Sequence, residues 1–204
     1  PIFSPTQYQW TSQFRAKYMI IKNEFIQYSK HHILPEYREI DEQLATNAIG
    51  WKTVFLKVFG NNTTAPAYFP QIMSLIESIQ CTTAYFSILE PGTVIPIHRG
   101  IYKGVLRYHL GLIIPDDREN VFISIDGEKL HWGHGEDLLF DDMYDHYVVN
   151  DTDQIRVVLF LDVKRDFNTL WLNAVNNLFL HYASTNEHVL SIIEKTNSLN
   201  RFVD

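Results

Sequence analysis

The chain has 204 residues, 46% of them hydrophobic and 14% aromatic, enough to bury a core in one domain of ordinary size, which excludes disorder and coiled coil. With 17 Lys and Arg against 24 Asp and Glu the formal charge is -7, so phosphate backbones are not attracted and nucleic acid is not an expected partner. The single cysteine, Cys81, rules out an intramolecular disulfide, a zinc ribbon and a CxxC redox motif, and reads as a buried small hydrophobe.

Phe14, Tyr18, Ile21, Phe25 and Tyr28 recur at steps of four and three, one face of an amphipathic helix with Thr11 or Ser12 as its expected N-cap. Residues 51–59 then alternate bulky and polar side chains as a strand does, and Gly60, Asn61 and Asn62 turn the chain. Pro70 opens a short helix whose buried side is expected to be Ile72, Leu75, Ile76 and Ile79. From Cys81 the texture is β: short runs rich in Val, Ile, Tyr and Phe are separated by turn signals, of which Asp126-Gly127 is a strong two-residue hairpin signature. Strands recurring through Asp162 suit a barrel or a double-sheet jelly roll. After Arg165 a helical period returns, with Trp171, Ala174, Val175, Leu178 and Tyr182 on one face, expected to pack on the barrel. The domain expectation is thus one unit over 1–204: a helical part with an early strand over 1–80, a β core over 81–165 and helices over 166–204.

No stretch has the pattern of a secretory signal, and no apolar run reaches the ~18 residues of a membrane span. A cytoplasmic protein with no transmembrane segment is expected, membrane-peripheral contact through residues 170–182 remaining open.

Period two places Arg107, His109 and Gly111 on one face of a strand, and Arg156, Val158 and Phe160 on one face of another. If those faces look into a barrel, each guanidinium needs a partner, because an unpaired buried charge costs several kcal/mol (roughly). A small dianion would satisfy both arginines; for Arg156, solvent or a structural aspartate would serve equally. His98 and His146 fall at strand ends that a barrel mouth could bring together, and neutral imidazoles are good ligands for Fe(II). Where the facial triad writes His-x-Asp or His-x-Glu, however, this chain writes His98-Arg99-Gly100, and in a chain with nine histidines the spacing of two is weak evidence. His31, His32, His131, His134, His181 and His188 read as surface, turn or helix-end residues.

Five segments in order decide the reading: YFSILEPGT at 85–93, PIHRG at 96–100, LRYHLGLIIP at 106–115, LFDD at 139–142 followed by His146, and residues 151–162. Together they resemble the aspartyl/asparaginyl β-hydroxylase family over about residues 82 to 163. The resemblance implies a mainly β fold, a double-stranded β-helix (jelly roll, cupin-like) with flanking N- and C-terminal helices. It further implies a dioxygenase that uses Fe(II), 2-oxoglutarate and O2, with a two-histidine metal site in which glycine, here Gly100, replaces the usual carboxylate. Carried over by position, His98 and His146 are the metal ligands, Ser87 and Arg156 hold the distal carboxylate of 2-oxoglutarate, and Arg107 and His109 lie near its metal-bound end. Asp141 or Asp142 would either hydrogen-bond near a ligand or stabilise a turn. An aspartate substituted at Gly100 is expected to tighten metal binding while lowering or altering turnover.

The first expectation for the substrate is the β-carbon of an aspartyl or asparaginyl side chain in a peptide or protein. Against it, EIDE at 39–42, GWKTVF at 50–55 and YKGVL at 102–106 resemble the smaller bacterial-type members of the family, some of which hydroxylate the fatty acyl chains of lipids. A non-catalytic cupin-like binding module is the alternative from another class, and the presence of all four of His98, His146, Arg107 and Arg156 speaks for the enzyme.

Overall fold

The structure is a computed structural model that describes residues 1–42 and 48–203. The chain opens with β1 (Ile2–Phe3), α1 (Thr11–Ala16), α2 (Tyr18–Ser29) and the single turn α3 (Tyr37–Ile40). There follow β2 (Trp51–Val58), β3 (Asn61–Asn62) and α4 (Pro70–Glu77). The β block comprises β4 (Cys81–Leu89), β5 (Thr93–His98), β6 (Val105–Ile113), β7 (Val121–Ile125) and β8 (Glu128–Leu130), and continues with β9 (Asp137–Phe140), β10 (His146–Asn150) and β11 (Arg156–Lys164). Two helices, α5 (Leu170–Ser184) and α6 (Glu187–Leu199), end it.

The strands form two antiparallel sheets, one ordered β1-β9-β6-β11-β4-β2-β3 and the other β5-β10-β7-β8. This is the predicted jelly-roll arrangement: from β4 to β11 the chain alternates between the sheets except at the β7–β8 hairpin, and side chains of the inner faces fill the space between them. Leu89, Ile95, Ile123, Ile125, Trp132, Phe140 and Val158 make that inter-sheet core. The opposite face of the large sheet carries Phe86, Tyr108, Leu110 and Leu159, covered by Phe14, Ile21 and Phe25 of α1 and α2. The N-terminal helices thus buttress one sheet and leave the mouth of the roll to other elements.

Asp126 and Gly127 both adopt left-handed backbone, φ 52° and 85°, the geometry that joins β7 to β8 with the twist a two-residue hairpin needs. Several local expectations require correction. The first helix is broken at Lys17, and neither Thr11 nor Ser12 caps it: Trp10 precedes Thr11 without a side-chain cap, and the Thr11 hydroxyl donates backward to the carbonyls of Pro5 and Tyr8. Ile79 lies beyond the end of α4, although it still packs on the core. His32 is buried, stacked on Tyr28 at 4.0 Å and beside Phe202, because the chain's C-terminal segment folds back over it. Cys81 is buried as expected, and burial pushes its thiol up to about 12.

The largest departure concerns α5. Its inward stripe, at helical spacing, is Asn173, Asn176, Leu180 and Ala183, whereas Trp171, Ala174, Val175, Leu178 and Tyr182 face outward. Periodicity identified the apolar face correctly and assigned it to the wrong side, since a hydrophobic stripe shows that a face exists and not what covers it.

Candidate active site

β10 lies between β5 and β7, and its first residue, His146, pairs in register with His98, the last residue of β5. Antiparallel pairing at one end of the small sheet therefore places the two imidazoles side by side, with ring centroids 4.1 Å apart and planes inclined at 52°. Each ring is fixed by the same local device. Nδ1 of His98 lies 2.8 Å from the carbonyl oxygen of Pro96, and Nδ1 of His146 lies 2.9 Å from that of Tyr144. A carbonyl only accepts, so Nδ1 carries the proton in both rings and Nε2 keeps its lone pair, the tautomer a metal ligand needs. Burial and the neighbouring His98 hold the His146 imidazole down at about 3, and burial lowers His98 as well.

Gly100 is two residues beyond His98. A Cβ built there would fall inside the carboxylate of Asp142, whose backbone carbonyl accepts the Gly100 N–H at 2.7 Å. Glycine is therefore required for close approach: the volume that an aspartate side chain at 100 would fill is already occupied by a carboxylate from the loop before β10. Gly100→Asp is accordingly expected to destabilise the fold by roughly 1–3 kcal/mol, the usual range for overpacking, because Asp142 must leave Arg107 to admit it. A thermal melt checks this, and an unchanged Tm would contradict the close-approach role. Tighter metal binding in that variant would require Asp142 to move first.

The two arginines have different surroundings. Arg107 is held by Asp142 at 2.8 Å and by Asp162 at 3.0 Å, with its guanidinium 4.4 Å from the centre of the Phe160 ring. Burial opposes its charge, and the two carboxylates outweigh that opposition and raise its pKa. The expectation that Arg107 awaits an external anion is thus corrected, since the chain supplies its counter-ions. Burial pushes the Asp142 carboxyl up to about 6, Arg107 opposing and Asp162 and Asp141 adding to the rise.

Arg156 is 2% exposed. It donates through Nη1 to the Ser87 carbonyl at 3.1 Å and approaches Ser87 Oγ at 3.4 Å, while Trp51 Nε1 donates to the same hydroxyl at 3.0 Å. Its guanidinium lies 4.9 Å from the centre of the Trp132 ring. No carboxylate accompanies it among the described residues, and its Nε has no partner. Burial pulls it down to about 9, which still leaves a cation at neutral pH.

Two further groups complete this pocket. His109 is buried with neither ring nitrogen hydrogen-bonded, 6.0 Å from the Trp132 ring and 5.1 Å from Phe160, and burial followed by Arg156 holds it well below the usual imidazole range. Trp132 Nε1 is likewise unpartnered. Buried polar groups are nearly always satisfied, so a cation and N–H donors left orphaned together describe a cradle shaped for an anion with several acceptor oxygens. Of the residues named from the sequence, the structure brings Ser87, Arg156 and His109 together; Trp132 was not named, its single cue being an aromatic in the turn-rich segment 131–135.

Asp141 and Asp142 divide the two roles considered for them. Asp141 accepts the Met143 N–H at 3.1 Å and pairs with Arg165 at 2.8 Å, a turn-stabilising part, whereas Asp142 reaches Arg107 and has one carboxylate oxygen, Oδ1, without a partner. Beside His98 opens a chamber of about 290 Å³, walled by Tyr37, Trp51, Phe55, Tyr85 and Phe160 and rimmed by Ile101 and Tyr102; His146 is not part of its lining. A larger groove of about 820 Å³ by Tyr8, Trp10 and Lys164 contains none of the histidines, and of the arginines only Arg165.

His98, His109 and His146, with pKa values depressed by burial, set an acid limit on stability. Between about 6.5 and the depressed folded values the unfolded chain binds protons that the folded chain refuses, so stability falls as pH drops through that window. Asp142, raised to about 6, acts in the opposite sense between its folded value and about 4. Three groups against one predict a net loss of Tm from pH 7 to 5, measurable by melts in a buffer series. A Tm that is flat or rises toward pH 5 would contradict the burial of the histidines.

Among the described residues no group of three or more His, Cys, Asp or Glu side chains is placed to hold a metal. The nearest pair of nitrogens with free lone pairs is Nε2 of His98 and Nε2 of His146. A sequence profile of the aspartyl/asparaginyl beta-hydroxylase family matches residues 15–166. The ornithine lipid ester-linked acyl 2-hydroxylase of Rhizobium tropici is 37% identical over 167 residues, covering 79% of this chain and 59% of that protein. The human aspartyl/asparaginyl beta-hydroxylase is 35% identical over 100 residues, covering 46% of this chain and 13% of that protein. The chain thus spans about three fifths or less of the length of these relatives. Among solved structures, a predicted oxalate decarboxylase from Thermotoga maritima aligns with a TM-score of 0.39 and 12% identity, covering 66% of this chain and 90% of that one. A profile match over most of the chain, including every strand that carries the residues described above, makes this chain a member of the aspartyl/asparaginyl beta-hydroxylase family.

Proposed function

We propose that the chain is an Fe(II)- and 2-oxoglutarate-dependent hydroxylase acting on an unactivated carbon of a lipid acyl chain. The observation that carries the cosubstrate is Arg156, a buried guanidinium with no carboxylate partner among the described residues and set beside the unpartnered nitrogens of His109 and Trp132. The Nε2 atoms of His98 and His146 hold the metal, and the carbonyls of Pro96 and Tyr144 keep both imidazoles in the ligating tautomer. Arg156 and Ser87 hold the distal carboxylate of 2-oxoglutarate, where a planar fork of donors matches two oxygens. His109 stands nearer its metal-bound end. Arg107, pinned by Asp142 and Asp162, fixes the floor of the chamber, and the unpartnered Oδ1 of Asp142 is free to accept a hydrogen bond from a bound molecule. The chemistry supplied by the bound group is replacement of C–H by C–OH, with 2-oxoglutarate and O2 giving succinate and carbon dioxide.

Two observations favour an acyl chain. The relative matched over most of this chain is a lipid acyl hydroxylase, and the chamber has aromatic walls in which the cation Arg107 is already neutralised. The peptidyl reading keeps the support of the human relative, over a shorter stretch. Protein loaded anaerobically with Fe(II) and 2-oxoglutarate, then given O2 with either an acyl lipid or an aspartyl peptide, separates them. Succinate formation stimulated by lipid and a product heavier by one oxygen atom are expected; stimulation by peptide alone would transfer the assignment to the side chain, and metal binding without succinate to a cupin-like binding module.

A further inference from the structure

The outward face of α5 has the composition of a surface meant to be covered. Leu170 is 92% exposed and Leu178 70%, with Trp171, Val175, Phe179 and Tyr182 also exposed. The 15-residue helix contains no Asp, Glu, Lys or Arg. Its attachment to the body is polar: Asn176, buried, donates to the Gly104 carbonyl at 2.9 Å and bonds the Tyr102 hydroxyl, and Asn173 donates to Asp166 and accepts from the Phe167 N–H. Asparagines facing inward and leucines and a tryptophan facing outward invert the usual polarity of a surface helix. The fold spends buried hydrogen bonds to hold it this way.

The geometry points to α5 as a membrane-docking helix that lies in the interface of a lipid bilayer beside the chamber mouth. Phe179 stacks on Tyr102 with ring centroids 3.9 Å apart, and Tyr102 with Ile101, itself 68% exposed, rims the chamber that holds His98. The apolar face is thereby continuous with the entrance to the site. A docked helix would set that entrance against the acyl region, so that a chain could pass from bilayer to chamber with little exposure to water. Aromatic residues at Trp171 and Tyr182 suit the interfacial depth at which amphipathic helices lie. A second copy of the chain is the competing occupant, but it would close the chamber entrance that the apolar face adjoins, whereas a bilayer would supply an acyl chain to it. With no charge on the helix and -7 on the chain, attraction to anionic headgroups is not the driving force. The choice of a bilayer rests in part on the acyl-chain reading, whereas the exposed face does not.

Trp171 reports on the proposal directly, since Trp51 and Trp132 are buried and Trp10 is half-buried against Phe14 and Tyr108. Whole protein, without metal or cosubstrate, is mixed with vesicles of phosphatidylcholine alone or with phosphatidylglycerol, and followed by co-sedimentation and tryptophan emission. Binding to both vesicle types is expected, with a blue shift that Trp171→Phe abolishes and at least tenfold weaker partitioning for Val175→Asp and Leu178→Asp. Circular dichroism of these exposed-site variants should match wild type. No binding to either vesicle would overturn the proposal. So would binding that is lost in high salt and indifferent to Val175→Asp and Leu178→Asp, or a dimer in light scattering that Leu178→Asp dissolves. Vesicle binding without lipid hydroxylation would leave the helix assignment standing and defeat the acyl reading; hydroxylation of detergent-dispersed lipid without vesicle binding would do the reverse.

Discussion

His146→Ala is expected to abolish metal-dependent succinate formation and to weaken Fe(II) binding by more than roughly a hundredfold. The lower bound follows from what indirect partners are worth: removing a group that only orients a ligand costs about 10–100-fold in affinity, and here one of two protein donors is lost. The fold should survive. His146 contributes one hydrogen bond, from Nδ1 to the Tyr144 carbonyl, and its strand is held by neighbours on both sides. The acid sensitivity of stability should also diminish, because a group that refuses protons in the folded state has gone. Isothermal titration with Fe(II) or Mn(II), with melts at pH 5 and 7, measures both. Retained metal affinity would move the metal site away from the histidine pair. His98→Ala should behave alike, with a smaller change in acid sensitivity because His98 lies on the more open side of the pair.

The difference between legible and illegible features follows from the range of the forces involved. The Asp126-Gly127 hairpin and the helical repeat of Phe14, Ile21 and Phe25 were readable because turn chemistry and burial periodicity act over a few residues. His98 and His146 were not readable by spacing. What unites them is the register of β5 against β10, a consequence of repeated crossings between the two sheets, and only the ordered motifs of the family supplied that information. Arg107 and Arg156 looked equivalent as cations in apolar runs, yet one meets Asp142 and Asp162 and the other meets no carboxylate among the described residues. Which carboxylate reaches which guanidinium is decided by residues about 35 and 55 positions away. For Gly100 the sequence showed a missing carboxylate, and the structure shows Asp142 filling the space from another loop. The apolar stripe of α5 was visible and its direction was not, because the inward anchors are asparagines that hydrophobic periodicity scores as solvent-facing.

Arg156→Met should separate function from stability. The substitution keeps an extended apolar stem and removes a buried cation that has no carboxylate to answer it among the described residues. Holding that charge without an anion is costly for the empty protein, so the variant's Tm in the absence of ligands is expected to equal or exceed that of wild type. Use of 2-oxoglutarate should suffer in the opposite direction. A hydrogen bond between charged groups contributes roughly 1.5–3 kcal/mol, which converts to about a ten- to 150-fold rise in the apparent constant for the cosubstrate. Fe(II) affinity measured without 2-oxoglutarate should stay within about threefold, since the anion cradle and the histidine pair draw on different strands, β4 and β11 against β5 and β10. Thermal shift with added 2-oxoglutarate gives a readout independent of turnover: wild type should be stabilised by the cosubstrate and Arg156→Met should not. A variant that loses Tm and keeps its 2-oxoglutarate-dependent shift would make Arg156 a structural residue, its hydrogen bond to the Ser87 carbonyl then being its purpose. Arg107→Met is the control with the reverse signature, because its removal strands Asp142 and Asp162 beside each other without a cation and should lower the Tm of the empty protein before any ligand is added.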